Sequence, residues 1–68
     1  MIMKPVSSSN LVSVGYDKGT QTLRIAFRSS VYDYYNVPEQ TYLGLMSALS
    51  KGSYHAAYIK HWYQYKRV

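Results

Sequence analysis

The chain has no cysteine. Disulfide staples and thiolate metal sites are therefore excluded, and the absence suits a reducing cytoplasm. Acidic residues are nearly missing too: Asp17, Asp33 and Glu39 are the only carboxylates. Paired-carboxylate chemistry needs two acids at one site. Asp17 fits a turn and Glu39 the positive end of a helix, which leaves Asp33 alone. Glycines stand isolated at positions 15, 19, 44 and 52, so no Gly-rich phosphate loop is present. No stretch approaches the ~20 apolar residues of a membrane span. Met1-Ile2-Met3-Lys4-Pro5 lacks the apolar run of a secretory signal. The expectation is a soluble cytoplasmic protein with no membrane partner.

Histidine is scarce as well, with only His55 and His61. On one continuous helix, six residues apart, they would lie about 240° around the axis from each other. They would share neither a face nor a metal ion. The spacing reads His55 as packed and His61 as a surface residue. No nucleophile–base pair with an orienting carboxylate can be assembled. The sequence therefore predicts no enzyme, no cofactor and no metal.

What is present is tyrosine and positive charge. Nine of the 68 residues are Tyr, and eight Lys/Arg against three acids give a net charge of +5. Tyrosine packs by its ring and keeps a polar tip, so this load predicts a wet core edge, a binding face, or both. A basic balance points to an anionic partner such as nucleic acid; it equally serves solubility in a small domain. The chain makes one domain, and a domain this small buries only roughly 60% of its unfolded surface.

Residues 1–10, with the turn-type cluster Ser7-Ser8-Ser9-Asn10, read as a flexible leader, and residues 11–68 as the domain. Val12, Val14 and Tyr16 point one way, toward the sheet face to be covered, and Leu11, Ser13 and Gly15 the other. Asp17-Lys18-Gly19-Thr20 reads as a turn with Gly19 in the left-handed position. Leu23, Ile25 and Phe27 alternate strictly with Arg24, Ala26 and Arg28. Val31-Tyr32-Asp33-Tyr34-Tyr35 is β-branched and aromatic, a third strand; the Ser29-Ser30 link before it is a poor two-residue turn, which favours a longer loop. Pro38 and Glu39 then open a helix, whose stripe is Tyr42, Leu45, Met46 and Leu49. Lys51-Gly52 closes it. Ser53 caps a second helix with the stripe His55, Tyr58, Ile59 and Trp62. The predicted class is α+β: a three-stranded antiparallel meander followed by two helices packed on one sheet face.

The order of Ser8-Ser9-Asn10, Val14-Gly15-Tyr16-Asp17, Leu23, Phe27, Tyr32-x-Tyr34, Val37-Pro38 and Ser50-Lys51-Gly52-x-Tyr54 resembles the KTSC domain. That small domain is named for the C-terminal extension of some lysyl-tRNA synthetases, and it also stands alone in bacteria and phages. The resemblance covers about residues 8–67 and implies RNA binding through that synthetase context. Its Tyr-x-Tyr hallmark falls on Tyr32 and Tyr34, which read as core-edge residues. Three positions depart from the pattern: Ser30 replaces a common glycine, His55-Ala56 an aromatic residue and Asn, and Gln64 a proline. No family site is carried onto the second helix.

With Leu23, Ile25 and Phe27 inward, Arg24 and Arg28 face outward, and Tyr35 joins them if Tyr32 and Tyr34 point inward. Rings between guanidinium groups can stack unpaired bases and hold phosphate. The same positions can instead make an ordinary Arg–Asp cross-strand pair with Asp33. Lys60, Lys66 and Arg67, with Tyr63 and Tyr65, read as a phosphate-gripping arm or as a solvated terminus. The leading expectation is a non-catalytic module for RNA or single-stranded nucleic acid, with Arg24, Arg28, Tyr35, Lys60, Lys66 and Arg67 as its contacts. With ~4 phosphate contacts, log K falls with log salt at a slope near −3. Two alternatives stand beside it. One is a protein-interaction or phage-encoded accessory module that docks an acidic partner or self-associates as a homodimer. The other is a pocket for a small anionic nucleotide.

Overall fold

The computed structural model describes residues 1–68. Its strands are β1 (Lys4–Pro5), β2 (Leu11–Asp17), β3 (Thr22–Phe27), β4 (Val31–Tyr34) and β5 (Tyr65–Arg67). Helices α1 (Glu39–Ser47) and α2 (Lys51–Tyr58) lie between β4 and β5 in the chain. The strands pair antiparallel in the order β1-β2-β3-β4-β5. The α+β class, the meander and the two helices are as the sequence predicts. The sheet, however, has five strands rather than three.

The two additional strands come from segments with no apolar alternation. Lys4 and Pro5, within the expected leader, pair with Val14 and Ser13. Proline has no N–H to give a ladder, and an edge strand is where it is tolerated. The basic terminal segment forms β5, with Tyr65 opposite Tyr34 and Arg67 opposite Tyr32. The Tyr35 and Val68 amides extend that ladder by donating to the Gln64 and Val31 carbonyls, each at 2.9 Å.

A bulge changes the phase of β2. Leu11 pairs with Phe27 and Ser13 with Ala26, so Val12 is the extra residue. It is turned out at 46% exposure, while Leu11 is 1% exposed and Val14 fully buried. The simple alternation placed Val12 inside because it could not register one inserted residue. The following turn also differs from expectation. Gln21, with φ 55°, takes the left-handed position, and no glycine has positive φ. Asp17 Oδ1 accepts from the Gly19 amide at 2.9 Å, which holds the turn without help from a left-handed glycine. The link after β3 is the longer one anticipated: the Phe27 amide donates to the Ser30 carbonyl at 2.8 Å across it.

Both helices are shorter than their stripes. Pro38 is the residue before α1 rather than its first residue, and Ala48 ends α1 in extended backbone. Ser50, not Ser53, caps α2: its hydroxyl accepts from the Ser53 amide at 3.3 Å. Lys51-Gly52 therefore begins α2 and does not close α1. Leu49 lies in the break, fully exposed. Of the first stripe only Leu45 is fully buried, with Tyr42 and Met46 packed beside it. Of the second, Ile59 is buried and His55 half-buried, while Tyr58 and Trp62 are exposed. The Trp62 indole folds back to donate to the Ala57 carbonyl at 2.8 Å.

The helices close over one sheet face. Leu11, Val14, Leu23, Ile25, Tyr34, Val37, Leu45 and Ile59 form the core between them. Tyr16 stacks on Tyr42 at 4.9 Å between ring centroids and donates its hydroxyl to the Val37 carbonyl at 2.5 Å. No helix is long and apolar enough to cross a membrane.

Candidate functional site

Strand register divides the predicted contact residues between two faces. Side chains directly opposite in a sheet share a face. Gly15, Arg24, Asp33 and Lys66 form one row across β2 to β5. Val14, Ile25, Tyr32 and Arg67 form a row on the other face, as do Tyr16, Leu23, Tyr34 and Tyr65. The second face is the one the helices cover.

On the first face Arg24 is engaged by its neighbour. Its Nε donates to Asp33 Oδ1 at 2.7 Å and its Nη2 to Oδ2 at 2.9 Å, a two-pronged ion pair. Asp33 is only 7% exposed. That hydrogen bond and the carboxylate charge raise the Arg24 pKa above its already high value. The Met1 and Met3 side chains lie over Gly15 in the same row. The cross-strand pair that the sequence left as one alternative is thus present, and it neutralises the guanidinium beside Tyr35. Lys66 stands opposite Asp33 on this face.

Arg28 does not join that platform. β3 ends at Phe27, so strand alternation no longer fixes its direction. Its Nε donates to the Ser9 carbonyl at 2.7 Å, and its side chain lines a pocket on the helix-covered side. The pocket has a volume of about 400 Å³ and sits between the Arg28–Ser30 link, the tyrosines of β4 and β5, and the end of α2. Lys60 and His61 line it from the α2 side. Arg67 lies on the same sheet face, opposite Tyr32. The basic terminus is therefore no single arm: strand alternation sends Lys66 to one face and Arg67 to the other.

The pocket wall is aromatic. Tyr65 contacts Tyr32 and Tyr34 at 5.7 and 5.8 Å between centroids, and Phe27 meets Tyr32 edge-on at 6.1 Å. Phe27 and His55 are 5.0 Å apart. The Tyr34 hydroxyl and His55 Nε2 form a hydrogen bond of 2.8 Å. Burial, with smaller contributions from Tyr32 and Tyr65, pushes the Tyr34 pKa up to about 12. Burial also lowers the His55 pKa, helped by Lys60 and His61. At neutral pH the pair is a protonated phenol and an uncharged imidazole. The pocket's charge then rests on Arg28 and Lys60, and none of the three carboxylates lines it.

His55 and His61 both line this pocket, contrary to the helical projection that separated them. α2 ends at Tyr58, so His61 follows a turn and not the helix spiral. Sequence reasoning also missed Ser29, Ser30 and Asn10 in the lining. The signals that could have found the wall were the Tyr-x-Tyr pair and the basic, aromatic terminus, read as two strands paired with each other.

The family model of the KTSC domain matches residues 7–65. A curated protein of Tsukamurella paurometabola is 38% identical over 53 residues, which cover 76% of this chain and 79% of that protein. The crystal structure of a KTSC domain protein from Yersinia pestis superposes with a TM-score of 0.96 at 38% identity, over 98% of this chain and 96% of that one.

Proposed function

The chain belongs to the KTSC domain family, and from that premise we propose that it is a non-catalytic module binding RNA or single-stranded nucleic acid through the pocket face. One observation carries the reading: two uncompensated cations, Arg28 and Lys60, stand over a wall of tyrosines. Single strands present what this surface can take, namely phosphates for the cations and base faces for the rings. A cytoplasmic location agrees with such a partner. Arg24, held by Asp33, leaves the contact set, and so do Lys66 and Tyr35 on the far face. Arg28, Lys60 and Arg67 remain. With about three phosphate contacts the salt slope on a single strand is about −2.

The test is fluorescence anisotropy with a labelled single-stranded RNA across a salt series. Arg28→Glu together with Lys60→Glu abolishes binding, while Lys66→Glu on the opposite face changes it less than threefold. Equal loss from both changes refutes the pocket face as the binding surface.

A second reading has its own support. Leu43, Leu49, Tyr58 and Trp62 are exposed on the helical side, and exposed apolar patches mark protein contacts. Sedimentation at increasing concentration tests its simplest form, a homodimer.

A further inference from the structure

The charge on this molecule is gathered at one point and not laid along a track. Lys18 lies 3.7 Å from Glu39. Lys51 Nζ donates to the Ala48 carbonyl at 3.1 Å. Lys4 is on the far edge strand, and Arg24 and Lys66 face away. Beyond Arg28 and Lys60, Arg67 shares the pocket's sheet face at the near edge, and Lys4, opposite Val14, shares it only from the far edge strand β1. A strand leaving the pocket therefore meets no continuing row of cations.

Inside the pocket the reverse holds. The terminal nitrogens of Arg28, the Lys60 ammonium, the His61 ring and the Ser29 and Ser30 hydroxyls make no side-chain hydrogen bond within the protein. These donors converge on a volume of about 400 Å³, toward the lower end of the roughly 300–1,000 Å³ typical of small-ligand pockets. One nucleotide unit fits that scale. An internal phosphodiester offers a single charge and has two ester arms that must both leave. A terminal phosphomonoester carries about −1.5 to −2 at neutral pH and three acceptor oxygens. It matches a donor-rich, carboxylate-free pocket better, with its base on the half-exposed ring of Tyr65.

We propose that the pocket recognises a nucleotide by its terminal phosphomonoester, whether free or at the end of a strand. This rests on the reading of the pocket as a nucleotide site and assigns that site its ligand class.

The experiment compares hexanucleotides of one sequence bearing a 5′-phosphate, a 3′-phosphate or hydroxyls at both ends, alongside the mononucleotide, its nucleoside and inorganic phosphate. Binding is followed by titration calorimetry. At least one phosphorylated end binds about tenfold more tightly than the hydroxyl-ended strand, the gain of one further charge-assisted hydrogen bond. The mononucleotide binds and its nucleoside does not. Lys60→Met, at an exposed position unlinked to the core, removes the preference, and Arg28→Lys, which keeps the charge but loses the fork, weakens it. Equal affinity for all three strands overturns this inference and leaves the strand-binding function standing. Inorganic phosphate as tight as the mononucleotide overturns it also, since the base then adds nothing. No binding of any strand or nucleotide overturns both.

Discussion

Cutting Arg24 back to alanine strands the Asp33 carboxylate at 7% exposure with both of its guanidinium hydrogen bonds gone. Breaking one side of a fully buried ion pair costs about 3–5 kcal/mol. The Arg24 side chain is 38% exposed, so water already screens part of the attraction and can reach the orphaned oxygens. Discounted for that, the loss is about 2 kcal/mol. A chain of this size has a total stability of roughly 3–10 kcal/mol, so the loss is a large fraction. It corresponds to a fall in Tm of about 8–16 °C. Urea unfolding followed by circular dichroism measures it. Arg24→Met with Asp33→Leu recovers much of the deficit, because an apolar pair leaves no buried charge. A single variant within 0.5 kcal/mol of the parent, on the order of the scatter for neutral surface changes, refutes the argument that Asp33 depends on this one partner.

Three further outcomes follow from the packing. Leu11→Ala costs about 2–4 kcal/mol, whereas Val12→Thr stays within about 0.5 kcal/mol; the reverse order in denaturant melts sinks the bulge assignment. A Cβ on Gly44 collides with the Tyr54 ring, where α1 meets α2, and the crowding outweighs alanine's gain in helix propensity, so Gly44→Ala lowers stability by a net ~1 kcal/mol in urea melts; an equal or higher midpoint counts against that close approach. The folded chain protonates His55 less readily than the unfolded chain, whose pKa is near 6.5. Stability is therefore complete above that value and declines as pH falls through it toward the lower folded-state pKa. His55→Gln, which keeps a partner for Tyr34 and cannot titrate, flattens the decline between pH 7 and 5, and an unaltered acid limb would show that other groups cause it.

The three central strands were legible because each alternates or is β-branched over several residues, as Leu23, Ile25 and Phe27 do. The inward phase of Tyr32 and Tyr34 followed once Asp33 was placed beside Arg24. The edge strands were not legible. Lys4–Pro5 and Tyr65–Arg67 have no apolar period and exist only because a neighbour offers a free ladder. The Val12 bulge and the break after Ser47 turn on single residues, which window patterns average away. The pocket was half legible. Its cations Arg28 and Lys60 were named from charge, but grouping them required knowing where β3 and α2 stop. The separation of Lys66 from Arg67 likewise needed the terminus to be a strand.

The meander gives its strands unequal kinetics. Each of β1 to β4 docks on the strand just before or after it in the chain, across a short link. β5 must wait until residues 35–64, with both helices, have folded back past β4. Closing so long an excursion is slow relative to a hairpin, and three residues of exposed edge are little to hold it afterward. The last strand to arrive is then also one of the two short, exposed edges from which the sheet can fray. Tyr65 and Arg67 travel with it, so the aromatic wall would open and re-form by fraying of one end of the sheet, without unfolding of the remainder. Amide exchange at Tyr65–Arg67 would outpace that at β3, and an occupant of the pocket would slow it.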